Sequence, residues 1–324
     1  MNPFIIISLL FLSFGVSQEI HTNIQWVNGE MIKTTDTIYI EKEYNVNDLI
    51  EMDNGLLTEK FSDIPITGKV FENYGEVEPL KKVYIGNIRN GKREGKWIIY
   101  HHNGRKKSES NFKDGKPNGL VTSWYENGQK ELRATFKDGI KDGLVTIGYE
   151  NGKKNSEETY KNGKKDGLSI WWYESGQKKG EETFKDGELN GLSTEWYENG
   201  QKKWEGTYKD GKDGGKWIHW HENGQKHQEN NHKNNGEFDG LQTQWYDNGQ
   251  KENEGTIKDG KEDGLWKKWY KNGFKSAQIT YKDGKKDGLT TLWYENGQKE
   301  IESTYKDGEK ISEKEWNEDG SVKE

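Results

Sequence analysis

The heptapeptide WYENGQK stands at residues 124–130 and returns unchanged at 196–202 and 293–299. Around these copies lie WYESGQK (172–178), WHENGQK (220–226), WYDNGQK (245–251) and WYKNGFK (269–275), with weaker versions YHHNGRK (100–106) and GYENGKK (148–154). A motif copied at a fixed interval restricts the chain to a repeat architecture, in which each unit buries its apolar face only against its neighbours. From Gly95 the interval is 24 residues, with units opening at Gly95, Gly119, Gly143, Gly167, Gly191, Gly215, Gly240, Gly264 and Gly288. The step to Gly240 carries one extra residue near Asn234–Gly236. The repeat array thus spans 68–324: a degenerate first unit at 68–94, nine 24-residue units at 95–311, and a truncated unit at 312–324 with Ser312 in the opening Gly slot. Residues 18–67 show no repeat and read as an N-terminal extension or cap.

Within the unit that opens at Gly119, Leu120, Thr122 and Trp124 alternate with Val121, Ser123 and Tyr125, the two-residue period of a strand. Asn127 and Gly128 tolerate the positive φ values of a tight turn, and Gln129 to Phe136 makes a return strand. Lys137, Asp138 and Gly139 form a second turn that leads to the next opening Gly. The pattern predicts an all-β, elongated array of consecutive hairpins in a twisted antiparallel sheet. A three-residue turn with Gly128 left-handed would set Trp124 opposite Lys130, and the apolar columns at Leu132 and Phe136 are expected on the Trp124 face.

Composition decides against a disordered chain. Hydrophobic residues make up only 29% and charged residues 32%, where globular domains have roughly 45–50% apolar residues. Yet 14 Trp, 16 Tyr and 10 Phe recur at fixed spacing, too many rings for a solvating tail. The net charge of −7 is interleaved Lys, Glu and Asp, which reads as a solvated surface. No basic stripe rises above this acidic background, so nucleic acid is not expected as a partner, and net acidity opposes direct binding to anionic membranes. There is no Cys, hence no disulfide framework or thiol nucleophile. Phe4–Val16 is an apolar run too short for a comfortable span, and Gly15 and Ser17 suit cleavage before Gln18. Residues 1–17 are therefore read as a signal peptide, and the protein as exported to the periplasm, the cell surface or the medium.

The consensus GLxxxWYENGQKxxExTYKDGKKDG resembles the MORN repeat variant found in bacterial proteins that carry a YwqK-family antitoxin label. That resemblance implies consecutive hairpins with an aromatic-lined groove, protein association or scaffolding, and no common catalytic apparatus. The antitoxin label implies a cytoplasmic toxin as partner, which an exported chain would not meet.

Candidate chemistry is sparse. Four of the seven His fall between His219 and His232, and His219 and His221 share a strand face as two metal ligands could. His221 and His232 occupy slots that are Tyr in other units, so substitution of one amphipathic ring for another is the expectation and no metal site is assigned. The Asp-Gly turns lack the Asp ladder of a calcium loop, and the recurring Glu157, Glu181 and Glu205 sit in near-identical surroundings, unlike a catalytic pair. No catalytic residue, cofactor or metal is expected, and the chain is read as a non-enzyme. Its structural residues are Gly119, Trp124, Asn127, Gly128, Phe136 and Gly139 with their equivalents. The candidate binding surface comprises the variable Trp171, Trp204 and Trp266 together with the column Tyr125, Tyr173, Tyr197, Tyr246, Tyr270 and Tyr294. Three roles are carried forward: protein-interaction scaffold, binding of a glycan or cell-wall ligand through exposed aromatics, and antitoxin-type partner binding.

Overall fold

The computed structural model describes residues 7–13, 16–27, 30–75 and 80–323, with side chains described for 41–75 and 80–323. Two compact units divide it, 1–152 and 153–324. Among the described residues there is no α-helix, and no helix long and apolar enough to cross a membrane.

In the first unit, Ile7–Ser13, Val16–Val27 and Glu30–Glu41 form a three-stranded antiparallel sheet. The expected leader at 1–17 overlaps its first strands, while residues 1–6, 14 and 15 lie outside the described residues. Glu43–Asn45 then pairs in parallel with Gly68–Tyr74, the first strand of the degenerate repeat. Such a pairing gives that strand's edge a partner, the usual remedy for an open sheet edge. A small hairpin, Leu49–Glu51 with Leu57–Glu59, is tied in by Leu57 N–H to Gly91 O and Gly91 N–H to Ile66 O, both 2.7 Å. Around this cap lies a cluster of large buried residues: Tyr44, Leu57, Ile66, Val70, Ile85, Ile88 and Trp97. Antiparallel strands follow in chain order from Lys81–Arg89 to Ile140–Gly148.

The second unit is a meander of antiparallel strands from Lys154–Lys161 to Glu309–Glu315, each paired with the next. Both turns follow the local chemistry. In the first, Tyr125 N–H bonds Gln129 O and Gly128 N–H bonds Tyr125 O, both 2.9 Å, with Gly128 at φ 91°. This is the three-residue turn with a left-handed bulge residue, and Trp124 stands opposite Lys130 as the pattern predicts. In the second, Asp138 and Gly139 have φ 51° and 86°, the two positive values of a type I′ turn. The extra residue near Asn234 is absorbed there by a longer turn, closed by Lys233 N–H to Glu237 O at 2.8 Å.

One expectation is corrected. The register shifts between Ser123 and Trp124, so that Ser123 faces Leu132, Val121 faces Ala134 and Gly119 faces Phe136. Lys130 and Glu131 both stand against Trp124, and this bulge moves Leu132 and Phe136 to the face away from Trp124. One face, here the lysine face, carries the columns of Leu120, Thr122, Trp124 and Arg133. The other, the tyrosine face, carries those of Val121, Ser123, Tyr125, Leu132, Ala134 and Phe136.

Candidate functional site

The repeated columns are joints. On the lysine face each Trp lies beneath an ammonium from the preceding repeat: Lys154 over Trp172, Lys178 over Trp196, Lys202 over Trp220 and Lys226 over Trp245, 5.0–5.6 Å from the ring centroids. Each of these lysines also pairs with the Glu three residues on, as Lys154 does with Glu157 at 2.6 Å. The recurring Glu are thus lysine-paired.

Along the first-turn edge, each Tyr hydroxyl donates to a backbone carbonyl of the next repeat. Tyr125 reaches Gly148, Tyr173 reaches Trp196, Tyr197 reaches Trp220 and Tyr246 reaches Trp269, all at 2.9 Å; Tyr270 reaches Trp293 at 2.7 Å and Tyr294 reaches Trp316 at 2.9 Å. His221 makes the same link through Nε2, 3.0 Å from Trp245 O, an imidazole doing the work of a phenol. Asn127, Asn199, Asn248 and Asn296 add a second link, donating from Nδ2 to a carbonyl one repeat on while Oδ1 accepts the amide two residues ahead. Along the other edge the direction reverses: Gly139, Gly187 and Gly211 N–H donate back to Pro117, Lys165 and Leu189 O at 2.8–2.9 Å.

The variable tryptophans all lie on the tyrosine face. Trp171 covers Gly180, where a Cβ would lie 3.3 Å from its ring. Trp204 lies against Trp217 at a 31° tilt with centroids 5.4 Å apart and donates its indole N–H to Glu195 at 2.7 Å. Trp266 lies over Gly255, donates to Thr256 O at 3.2 Å and meets the edge of Tyr281 at 6.5 Å. Trp171 and Trp204 belong to one tract, from Lys154 to His232, completed by Phe184, Tyr208, Trp217 and His219. Tyr208 meets Trp217 edge-on at 5.0 Å, and His219 lies against Trp217 at 6.4 Å.

Three carboxylates are set among these rings. Glu158 accepts Tyr160 Oη at 2.7 Å and the Lys165 ammonium at 3.0 Å, and Lys165 itself lies over Trp171 and Phe184. Burial and the Glu158 charge push the Tyr160 phenol up to about 12. Glu195 holds Lys203 at 2.9 Å besides the Trp204 indole. Glu182 is half-buried: burial first, and then Glu195, push its carboxyl above the ordinary value, against the pull of Lys165 and the Ser193 hydroxyl. Burial and the neighbouring His227 and His232 hold His219 below its ordinary value. Among the described residues no three His, Asp or Glu converge as metal ligands.

The reading of single columns passed over Trp217, Tyr208 and the three carboxylates. A signal for Trp217 was present: Gly86, Gly206 and Gly255 each precede Trp97, Trp217 and Trp266 by eleven residues. In space each pair is face to face, and a Cβ on the glycine would fall 2.0–2.3 Å from the indole. None of the three glycines has a positive φ, so their role is room for the ring and not backbone freedom.

No curated protein matches the chain. The MORN repeat variant, whose arrays are repeat scaffolds or interaction modules and generally non-enzymatic, matches residues 93–114, 117–138, 141–162, 165–186, 189–210, 213–234, 238–259, 262–283 and 286–307. These nine stretches take in more than half of the sequence, and the chain belongs to the MORN repeat variant family.

Proposed function

We propose that the protein is an exported, non-enzymatic repeat scaffold that docks a protein partner along its tyrosine face. The observation that carries the reading is where the copies differ. The slot of Ser123 holds Ile147, Trp171, Glu195, His219, Gln244, Lys268 and Leu292 in successive units, and the slot of Leu132 holds Ser156, Gly180, Trp204, Gln228, Asn253, Ala277 and Ile301. Both are tyrosine-face columns. The joints need no such diversity, because the Trp, Tyr and Asn columns repeat with little change. Divergence greatest on one face is what recognition of a particular surface requires, with aromatic anchors among polar neighbours. Export is supported by the apolar run Phe4–Val16 with Gly15 and Ser17 at its end. A cytoplasmic toxin is no part of this reading.

Docking is tested by placing a photo-cross-linking phenylalanine analogue at Trp171 or Trp204, and at Leu192 on the lysine face, in the full chain in its host. One defined protein adduct from the first two positions and none from Leu192 is expected. Equal adducts from all three, or none from any, would overturn the assignment of the face. Fractionation of the host with N-terminal sequencing checks export, with a mature end at Gln18 expected.

A further inference from the structure

Glu158 and Glu182 occupy the same slot in consecutive repeats, 24 residues apart. Around Glu158 the slot is filled from within: the Tyr160 hydroxyl and the Lys165 ammonium both bond the carboxylate, and the ammonium rests over Trp171 and Phe184, 5.5 and 5.0 Å from their centroids. One repeat later Phe184 stands in place of Tyr160 and Leu189 in place of Lys165, so the Tyr hydroxyl and the paired ammonium are gone, and the carboxylate keeps only the Ser193 hydroxyl and the unbonded charge of Lys165. The ring of Phe184 is replaced in turn by Tyr208, and Trp171 by the carboxylate of Glu195. Glu182 is thus a half-buried carboxylate in surroundings that hold a cation one repeat earlier, with no ion-pair partner among the described residues.

A second observation points the same way. Ser169 is paired across the sheet with Glu158 on one side and Glu182 on the other. It is 0% exposed, and its hydroxyl has no hydrogen-bond partner. A buried hydroxyl without a partner beside a carboxylate without its cation marks a polar site left incomplete, since buried polar groups are otherwise satisfied.

We infer that Glu182, with Tyr208, receives a lysine ammonium group from the docked partner, completing the arrangement that Lys165 makes at Glu158, while the neighbouring Glu195 is already held by Lys203 and Trp204. This rests on the docking reading above and names the chemistry of the partner: a polypeptide segment that presents lysine to the tyrosine face. Carboxylate and ring face together select a cation, and the repeat itself shows that a primary ammonium on a flexible stem fits.

The test uses the full chain and a fluorescein-labelled peptide of alternating lysine and serine, read by anisotropy, beside the same peptide acetylated on every lysine. The free peptide is expected to bind at least tenfold more tightly than the acetylated one. Glu182→Gln should lose at least tenfold of that affinity. Leu189→Lys, which supplies an internal ammonium as Lys165 does, should lose as much while its melting temperature holds or rises, so the test stands even if the first variant folds poorly. Glu198→Gln removes the same charge from an exposed turn and should bind as wild type does. Unchanged binding by Glu182→Gln and Leu189→Lys, equal weakening by Glu198→Gln, or equal binding of the acetylated peptide would each overturn the inference. Should the Trp171 or Trp204 cross-link form while the lysine peptide is ignored, docking stands and the assignment to Glu182 falls.

Discussion

Substituting Gly206 by Ala puts one methyl where the structure has none to spare. The added carbon would lie 2.1 Å from Trp217 Cδ2, whereas two carbons in contact sit about 3.5–4.0 Å apart. The indole must therefore retreat by well over an ångström. It is 5% exposed and held by Trp204 at 5.4 Å and Tyr208 at 5.0 Å. Overpacking of this kind costs about 1–3 kcal/mol, and removing a strand glycine returns only about 0.5–1 kcal/mol. A net loss of about 1 kcal/mol is expected. The protein supplies its own control: Ala134 faces Val145, both fully buried. Trp217→Val alone should cost about 3 kcal/mol through lost burial and a cavity. The double variant should recover about 2 kcal/mol of the summed loss, a coupling typical of residues in contact. Urea unfolding followed by far-ultraviolet circular dichroism measures all four corners of the cycle. Gly206→Ala at wild-type stability, or strict additivity, would refute the claim that the glycine exists to admit the ring.

Tyr197→Phe removes the bond to Trp220 O and should lower stability by about 1 kcal/mol, read as a shift in urea midpoint with an unchanged slope. Glu157→Gln breaks an exposed pair with Lys154 and should cost under about 0.5 kcal/mol, its effect vanishing in 1 M salt. His219, whose folded value is held below the ordinary 6.5, binds protons more readily in the unfolded chain. The stability it confers is therefore complete above about pH 6.5 and drains away as pH falls towards its folded value. His219→Ser, the residue of the equivalent slot at Ser123, should flatten that dependence in thermal melts between pH 7 and 5.

Much of the fold was legible because the turns are chemically explicit. Asn-Gly and Asp-Gly admit positive φ at little cost, and their spacing sets strand length and the pairing of Trp124 with Lys130. The facing of Leu132 and Phe136 was not legible, since the bulge at Lys130 and Glu131 reverses the parity of the return strand and leaves no mark in residue type. The parallel pairing of Glu43–Asn45 with Gly68–Tyr74 escaped for another reason: its partners are joined by a long non-repeating segment that carries no period. At the candidate site, Trp171, Trp204 and Trp266 stand out as departures from consensus. The Glu182 surroundings emerge only when residues from three successive strands are seen side by side.

The joints also bear on heredity. Tyr125, Asn127 and their equivalents donate to main-chain oxygens of the following repeat, and Gly139 and its equivalents to those of the preceding one. Every residue type carries a main-chain oxygen, so a neighbouring copy accepts these links whatever side chains it bears. Gene duplication or deletion of a whole 24-residue block therefore yields a chain whose seams already fit, and mutations in the Ser123 and Leu132 columns leave the seams untouched. Length and specificity can drift independently in such a lineage.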